Sequence, residues 1–401
     1  MMKNNKTVHF FVVTNYHIII ASLIRESLPK DYNAVLIINN VLPDVLRLRA
    51  KLEQLDRWSE VVIFDSGMIQ DFTNLSAIKK IFVVSKFNFL VRKFILRFRI
   101  SELYIFTVGD LSSNTFSSSK LIENKFICED GTYPYYGGVQ MYDSGNVHLT
   151  KMDSISGWIF SVVRVQKFLK RFIYKLAFPS LIINTKEWFG EVVLLKPELY
   201  DAGNDDSDIK IRNVNLGDSA ISNVFAEFTK IFEYKHTDTY RDADLIFIDS
   251  GMVGEQFLSM EEQVDFTLNI LKIFCSGNIL VKLSPYCTQK RLSYIEGKIN
   301  SIKNIELDYE NRFVPWEVVY SNNIEQLSNS TIATYRSTAV ISPYIIFNKS
   351  PKIAVFCSVL LKSFNLVQHD RVYAEQFVET IYRLEKLYPD GFIQLPLEID
   401  I

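Results

Sequence analysis

Along the first part of the chain, continuous apolar runs alternate with segments of helical period. Val8–Thr14 (VHFFVVT) is a run of the buried-strand type, followed by an apolar-periodic helix to about Leu28. Then come a strand at Ala34–Ile38, a helix around Leu42–Leu55 and a strand at Val61–Phe64. Further strand-like runs are Lys80–Val84, Leu103–Val108 and Lys125–Cys128. Strands without polar alternation, separated by helices, predict a parallel sheet covered on both faces. A polar, acidic stretch, Tyr200–Asp208 (YDAGNDDSD), interrupts the pattern and reads as a linker. Beyond it the alternation restarts: strands at Leu245–Ile248, Asn278–Val281, Ile305–Leu307, Val318–Tyr320, Thr331–Thr334 and Lys352–Phe356. Helices are expected at Ser259–Phe274, Cys287–Ile299 and Val372–Leu387. The expected organisation is an α/β domain over 1–198, a linker at 199–212 and a second α/β domain over 213–401. An echo, Asp65-Ser-Gly-Met68 and Asp249-Ser-Gly-Met252, places the same four residues directly after a strand in each half.

Composition narrows this picture. With 401 residues, 48% hydrophobic and 22% charged, the chain is long enough for two cores and too apolar for disorder. Its formal net charge of −2 argues against a nucleic-acid binder. Cys128, Cys275, Cys287 and Cys357 are scattered without paired spacing, which argues against a zinc site or a disulfide framework and fits a reducing compartment. Asn15, Tyr16 and His17 interrupt the amino-terminal apolar stretch, so a buried strand and helix are expected there instead of an anchor. The expected location is cytoplasmic. Two basic segments add a membrane surface as a candidate partner. Residues 86–99 (KFNFLVRKFILRFR) carry positive charges and no negative one. In 155–176, Arg164, Lys167, Lys170, Arg171 and Lys175 fall within a helical arc of about 140° opposite an aromatic face.

Four short constellations sit where strands end, the place where open α/β sheets bind ligands. Glu129-Asp130-Gly131 follows Lys125–Cys128 and precedes a loop bearing Tyr133, Tyr135 and Tyr136. Adjacent residues at a strand end diverge, so one carboxylate is expected to face a reaction centre, and Asp130 is the candidate general base. An Asp-Gly turn without chemistry is the alternative. Lys282-Leu-Ser284-Pro285 ends another strand, with ammonium and hydroxyl projecting to one side toward a phosphate or simply forming a turn. Arg336-Ser337-Thr338 offers an arginine, hydroxyls and backbone donors to an anion, or an ordinary helix cap. Asp249 is a ribose or acceptor contact, or turn chemistry. Asp206-Ser-Asp208 has the form of a metal motif but lies within the linker composition, and no metal is assigned.

In order, Thr14-Asn-Tyr-His17 after the opening strand, Glu129-Asp130-Gly131, Lys282-Leu-Ser-Pro285 and Ser337-Thr338 resemble the motifs of the bacterial sialyltransferases and polysialyltransferases of the GT-B type. That resemblance implies two facing Rossmann-type domains with a cleft between them. It implies transfer of a nonulosonate, first of all N-acetylneuraminate, from a CMP donor to a glycan hydroxyl of lipooligosaccharide, O-antigen or capsule, with inversion and without a metal. Asp130 would be the base, beside Glu129. Lys282, Ser284, Pro285, Arg336, Ser337, Thr338 and Asp249 would line the nucleotide site. A lipid-linked acceptor would place the protein peripherally at the inner face of the cytoplasmic membrane, held by its basic segments. The chain departs from the family where Ser284-Pro285 replaces His-Pro, because serine supplies no cation. That keeps open a CMP-Kdo or UDP/GDP-sugar transferase, and a non-catalytic membrane-associated scaffold.

Overall fold

The computed structural model describes residues 6–69, 77–131, 135, 188–200, 209–249, 259–285, 287–300, 302–335, 337–349, 351–357, 359 and 392–393. The chain divides into two compact units, Met1–Ala220 and Ile221–Ile401.

In the first unit the strands are β1 (Thr7–Val12), β2 (Asn33–Asn39), β3 (Glu60–Phe64), β4 (Glu102–Ile105), β5 (Asn124–Cys128), β6 (Glu191–Leu194) and β7 (Lys210–Asn213). All pair in parallel, in the order β3-β2-β1-β4-β5-β6-β7. The helices are α1 (Asn15–Ser27), α2 (Val45–Leu52), α3 (Ala77–Phe98) and α4 (Leu111–Ser118). This is doubly wound order, and the direction of winding reverses between β1 and β4. Central strands are apolar throughout because helices cover both faces: Val8, Phe10, Phe11 and Val12 of β1 are all buried. On one face Phe10 stacks on Tyr104 and Tyr104 on Phe126, each at 4.6 Å between ring centroids. Arg212 of β7 ends that row, its guanidinium 4.9 Å from the Phe126 ring. On the other face Phe11, Phe64 and Phe116 pack together, and Phe87 and Phe94 of α3 meet Phe64.

The second unit repeats the plan. Its strands are β8 (Leu245–Ile248), β9 (Ile279–Lys282), β10 (Ile305–Leu307), β11 (Thr331–Thr334), β12 (Lys352–Val355) and β13 (Phe392–Ile393). They run parallel in the order β10-β9-β8-β11-β12-β13, with the reversal between β8 and β11. Helices α5 (Asp218–Ile231), α6 (Met260–Phe274), α7 (Gln289–Ile299), α8 (Trp316–Asn322) and α9 (Ser342–Phe347) complete it. Ser259 and Glu262 close a reciprocal capping box at the start of α6, which fixes that boundary. Phe247, Leu271, Val281, Ala333, Tyr335 and Phe356 lie in its buried core.

Most expected strands fall within a residue or two of their places, and the exceptions are instructive. Lys80–Val84 belongs to helix α3: Val84, Phe87, Val91 and Ile95 recur at helical spacing and are all buried, so the longer period overrides a short apolar run. Val318–Tyr320 lies in helix α8, which buries Trp316, Val318, Val319 and Tyr320 and so leaves no polar face to signal a helix. Strands β6 and β7 were not expected. The division between units falls after Ala220, later than the 199–212 linker, because Lys210–Asn213 pairs with β6 as the edge of the first sheet. Residues 210–212, placed at the end of the expected linker, form part of this largely exposed edge strand, while 201–208 of the acidic stretch lie outside the described residues. The basic segment 155–176, the helix expected at Val372–Leu387 and Asp206-Ser-Asp208 lie outside the described residues.

Candidate functional site

The carboxyl ends of β1 and β5 build the site of the first unit. Thr14 caps α1, its side chain accepting from the His17 backbone N–H. This fixes the first turn of the helix and aims Tyr16 and His17 along the sheet edge. The His17 ring stacks on Phe106 just past β4, at 5.1 Å and 19°, and is buried. Its Nε2 lies 2.9 Å from Asp130 Oδ1. The Val13 backbone N–H approaches Nδ1 at 3.4 Å. That neighbour assigns Nδ1 as acceptor, so Nε2 carries the proton and donates to Asp130. The Asp130 side chain remains 24% exposed. Gly131, which follows, has φ of 57°, a left-handed turn that glycine adopts without strain.

Glu129 is the opposite case. It is 0% exposed, as the divergence of neighbouring side chains at a strand end predicts. The Tyr16 hydroxyl donates to Oε1 and the Tyr135 hydroxyl to Oε2, each at 2.6 Å, and the Leu195 backbone N–H reaches Oε2 at 3.2 Å. Burial pushes its carboxyl up to about 7, against the pull of these donors and with some help from the neighbouring Asp130 charge. Glu129 therefore ties α1, the residue after β6 and Tyr135 to the end of β5, and does not face a reactant. Tyr135 is consumed in this network; Tyr133 and Tyr136 lie outside the described residues. Asp110, at the end of the stretch that follows β4, caps α4 through the Ser112 and Ser113 N–H groups, and burial raises its pKa.

In the second unit the expected residues separate into different environments. Lys282, at the end of β9, is buried, and its Nζ donates to the Asn311 and Arg312 carbonyls at 2.8 and 3.0 Å. Burial pushes its ammonium down to about 8, with Asp308 and Glu317 opposing. It braces the turn after β10 and does not share a surface with Ser284. Ser284 is half-buried and opens the turn closed by the Cys287 N–H on its carbonyl, while Pro285 is exposed. Asp249, at the end of β8, is buried and held by Arg291 Nη2 at 3.1 and 3.3 Å. Arg312 donates to the Cys287 carbonyl. Arg312 thus lies against the turn that Ser284 opens and Arg291 against Asp249, cations that the short motifs did not signal. Ser337 and Thr338 are half-buried beyond the end of β11, where Ser337 accepts from the Ala339 N–H as an ordinary cap of a single turn. Arg336 lies outside the described residues.

The motif Thr14-Asn-Tyr-His17 carried no assigned role in the sequence, yet His17 meets Asp130 and Tyr16 meets Glu129. The available signal was their position at the first turn after β1, where the winding reverses.

No protein-family profile matches the chain, and no curated protein matches it in sequence. Solved structures do match in shape. A UDP-glucosyltransferase of Polygonum tinctorium is 12% identical, with a TM-score of 0.51 over 98% of this chain and 86% of that one. MnaA of S. aureus, solved with UDP, is 11% identical, with a TM-score of 0.48 over 96% and 89%. MurG of Acinetobacter baumannii is 10% identical, with a TM-score of 0.42 over 97% and 86%. The likeness to the glucosyltransferase, together with two doubly wound parallel sheets of one order, shows a GT-B-like α/β fold. Fold alone does not assign chemistry.

Proposed function

We propose that this chain is an inverting glycosyltransferase that takes a nucleotide-activated sugar and uses Asp130 as its general base. The observation that supports the reading is the 2.9 Å His17–Asp130 pair, which holds one oxygen of a partly exposed carboxylate at the carboxyl edge of the first sheet. Asp130 removes the proton of an acceptor hydroxyl as that oxygen attacks the anomeric carbon. The bond from that carbon to the nucleotide phosphate breaks on the opposite face, and the nucleotide leaves with the bonding pair. His17 positions the base without meeting the substrate.

The proposed donor is a CMP-activated nonulosonate, first of all N-acetylneuraminate, and the proposed acceptor a glycan of a bacterial surface polysaccharide or lipooligosaccharide. The ordered motifs support this. Ser284, Ser337, Thr338 and Arg336 are the groups proposed to meet the leaving phosphate. Lys282 is withdrawn from that set because both of its observed hydrogen bonds go to backbone carbonyls inside its own unit. Arg312, bound to the Cys287 carbonyl of the Ser284 turn, and Arg291, oriented by Asp249, are the cations proposed in its place. A CMP-Kdo or UDP/GDP-sugar donor is separated from this reading by calorimetric titration with CMP, UDP and GDP. Selective CMP binding is expected.

Asp130→Asn tests the base. Transfer should fall by about 10²–10⁴-fold, the usual contribution of a general base, with nucleotide affinity retained. Undiminished transfer would remove Asp130 from the mechanism. Failure of the wild-type protein to bind any nucleotide would give the lead to a non-catalytic scaffold.

A further inference from the structure

Helix α3 is amphipathic in an unusual sense, because it has two apolar faces. Val84, Phe87, Val91 and Ile95 form the inner one and are buried in the first unit. On the outer side Phe82, Phe89 and Leu96 are 72%, 66% and 62% exposed. Their heptad spacing sets them within about 40° of one another, in a line about 21 Å long. Lys93, Lys86, Lys79 and Arg97 follow about 40–80° to one side of that line, and Arg92 about 60° to the other. All five are exposed, with Arg97 also over the Phe98 ring at 5.2 Å. The helix sequence holds no Asp or Glu, although the chain as a whole carries a net charge of −2.

A solvated helix face has no use for large apolar side chains at three successive heptad positions, since the core is already served by the inner face. Two copies of such a face brought together would juxtapose like charges, which weighs against a homodimer. A planar, negatively charged surface with an apolar interior satisfies both features at once: aromatic and aliphatic side chains enter, while lysine and arginine stems lie along the boundary with their charges at the phosphates. We propose that the outer face of α3 is a docking surface for a bilayer containing anionic phospholipid, with Phe82, Phe89 and Leu96 inserted and Lys86, Arg92 and Lys93 meeting the headgroups. The helix begins after β3, at the carboxyl edge of the sheet that also carries Asp130. Its amino-terminal end therefore lies toward the edge of the proposed chemistry. The inference stands independently of the transfer reaction, because membrane docking requires neither donor nor acceptor.

The test is flotation of the full chain with vesicles of phosphatidylcholine alone and of phosphatidylcholine mixed with phosphatidylglycerol. Binding to the mixed vesicles and not to the neutral ones is expected, weakening as salt rises. The variant Phe82→Ser/Phe89→Ser/Leu96→Ser should bind at least about tenfold more weakly, and Lys86→Glu/Lys93→Glu should lose the preference for anionic lipid. Both should keep the wild-type Tm, since every altered side chain is exposed. Absence of wild-type binding, equal binding to neutral vesicles, or undiminished binding by the triple serine variant would overturn the proposal. So would a concentration-dependent dimer, seen by sedimentation without vesicle binding, that the triple variant abolishes.

Discussion

Glu129 and Asp130 end the same strand, yet one peptide unit of difference in direction sends them into opposite environments. Asp130 keeps a partly exposed side chain, one oxygen of which is held by His17. Replacing His17 by Phe should preserve the ring stacking on Phe106 and remove that hydrogen bond. The expected result is kcat lowered by about 10²-fold with donor KM unchanged, since a base displaced by about an ångström loses rate of this order. His17→Gln, whose amide N–H can reach the same carboxylate, should recover part of it. A rise in KM with kcat intact would reduce His17 to a shaping role. Glu129 offers a separate check through stability. Its carboxyl titrates at 4.5 in an open chain and near 7 in the fold. The folded protein thus favours the protonated form, and the stability this contributes is present at acid pH and lost as pH rises from about 4.5 through about 7. Glu129→Gln, neutral throughout, should lack this fall. Between pH 4.5 and 8 the wild type should lose up to about 3 kcal/mol relative to the variant by urea unfolding. A pH-independent difference would show that Glu129 is ionised in the fold.

At the scale of elements, α3 shows how two readings of one segment are separated. The run Lys80–Val84 satisfies a strand by local propensity, whereas the spacing Val84, Phe87, Val91, Ile95 satisfies a helix over a longer stretch. The helix prevails because all four side chains are buried, Phe87 against the Phe64 ring of the face built by Phe11, Phe64 and Phe116. Phe87→Ala should therefore destabilise by about 3–5 kcal/mol, a large side chain lost from a packed site. Phe89→Ala, two residues on and exposed, should change stability by less than about 0.5 kcal/mol. Equal effects in denaturant titrations would mean that the outer face is packed in solution.

For the whole molecule, the repeated strand order means that each unit presents its own carboxyl edge and switch point. The Asp65 and Asp249 echo does not mark equivalent strand ends: β3 is the edge of its sheet, whereas β8 holds the switch-point place that β1 holds in the first sheet, and Asp249 is bound to Arg291. If the second unit carries the nucleotide, Asp130→Asn and His17→Phe should leave the CMP Kd unchanged, while Ser337→Ala should raise it. Calorimetry decides the division of labour: a Kd shifted by the first-unit substitutions and untouched by Ser337→Ala would reverse the assignment.

The amino-acid order by itself determined the alternation of apolar runs and helices, and with it the α/β class and the presence of two similarly built units. It also determined which carboxylates end strands, because strand ends are marked by the turn residues that follow, as Gly131 follows Asp130. Only the tertiary structure decided that Lys282 is enclosed, that Arg291 holds Asp249 and that Arg312 meets the Ser284 turn. It alone made Lys210–Asn213 a strand and brought His17 against a carboxylate 113 positions away. Those outcomes depend on contacts between residues distant in sequence, where no local period or composition records the partner. Burial, which sets both the charge state of Glu129 and the exposure of Phe82, Phe89 and Leu96, is a property of the packed chain.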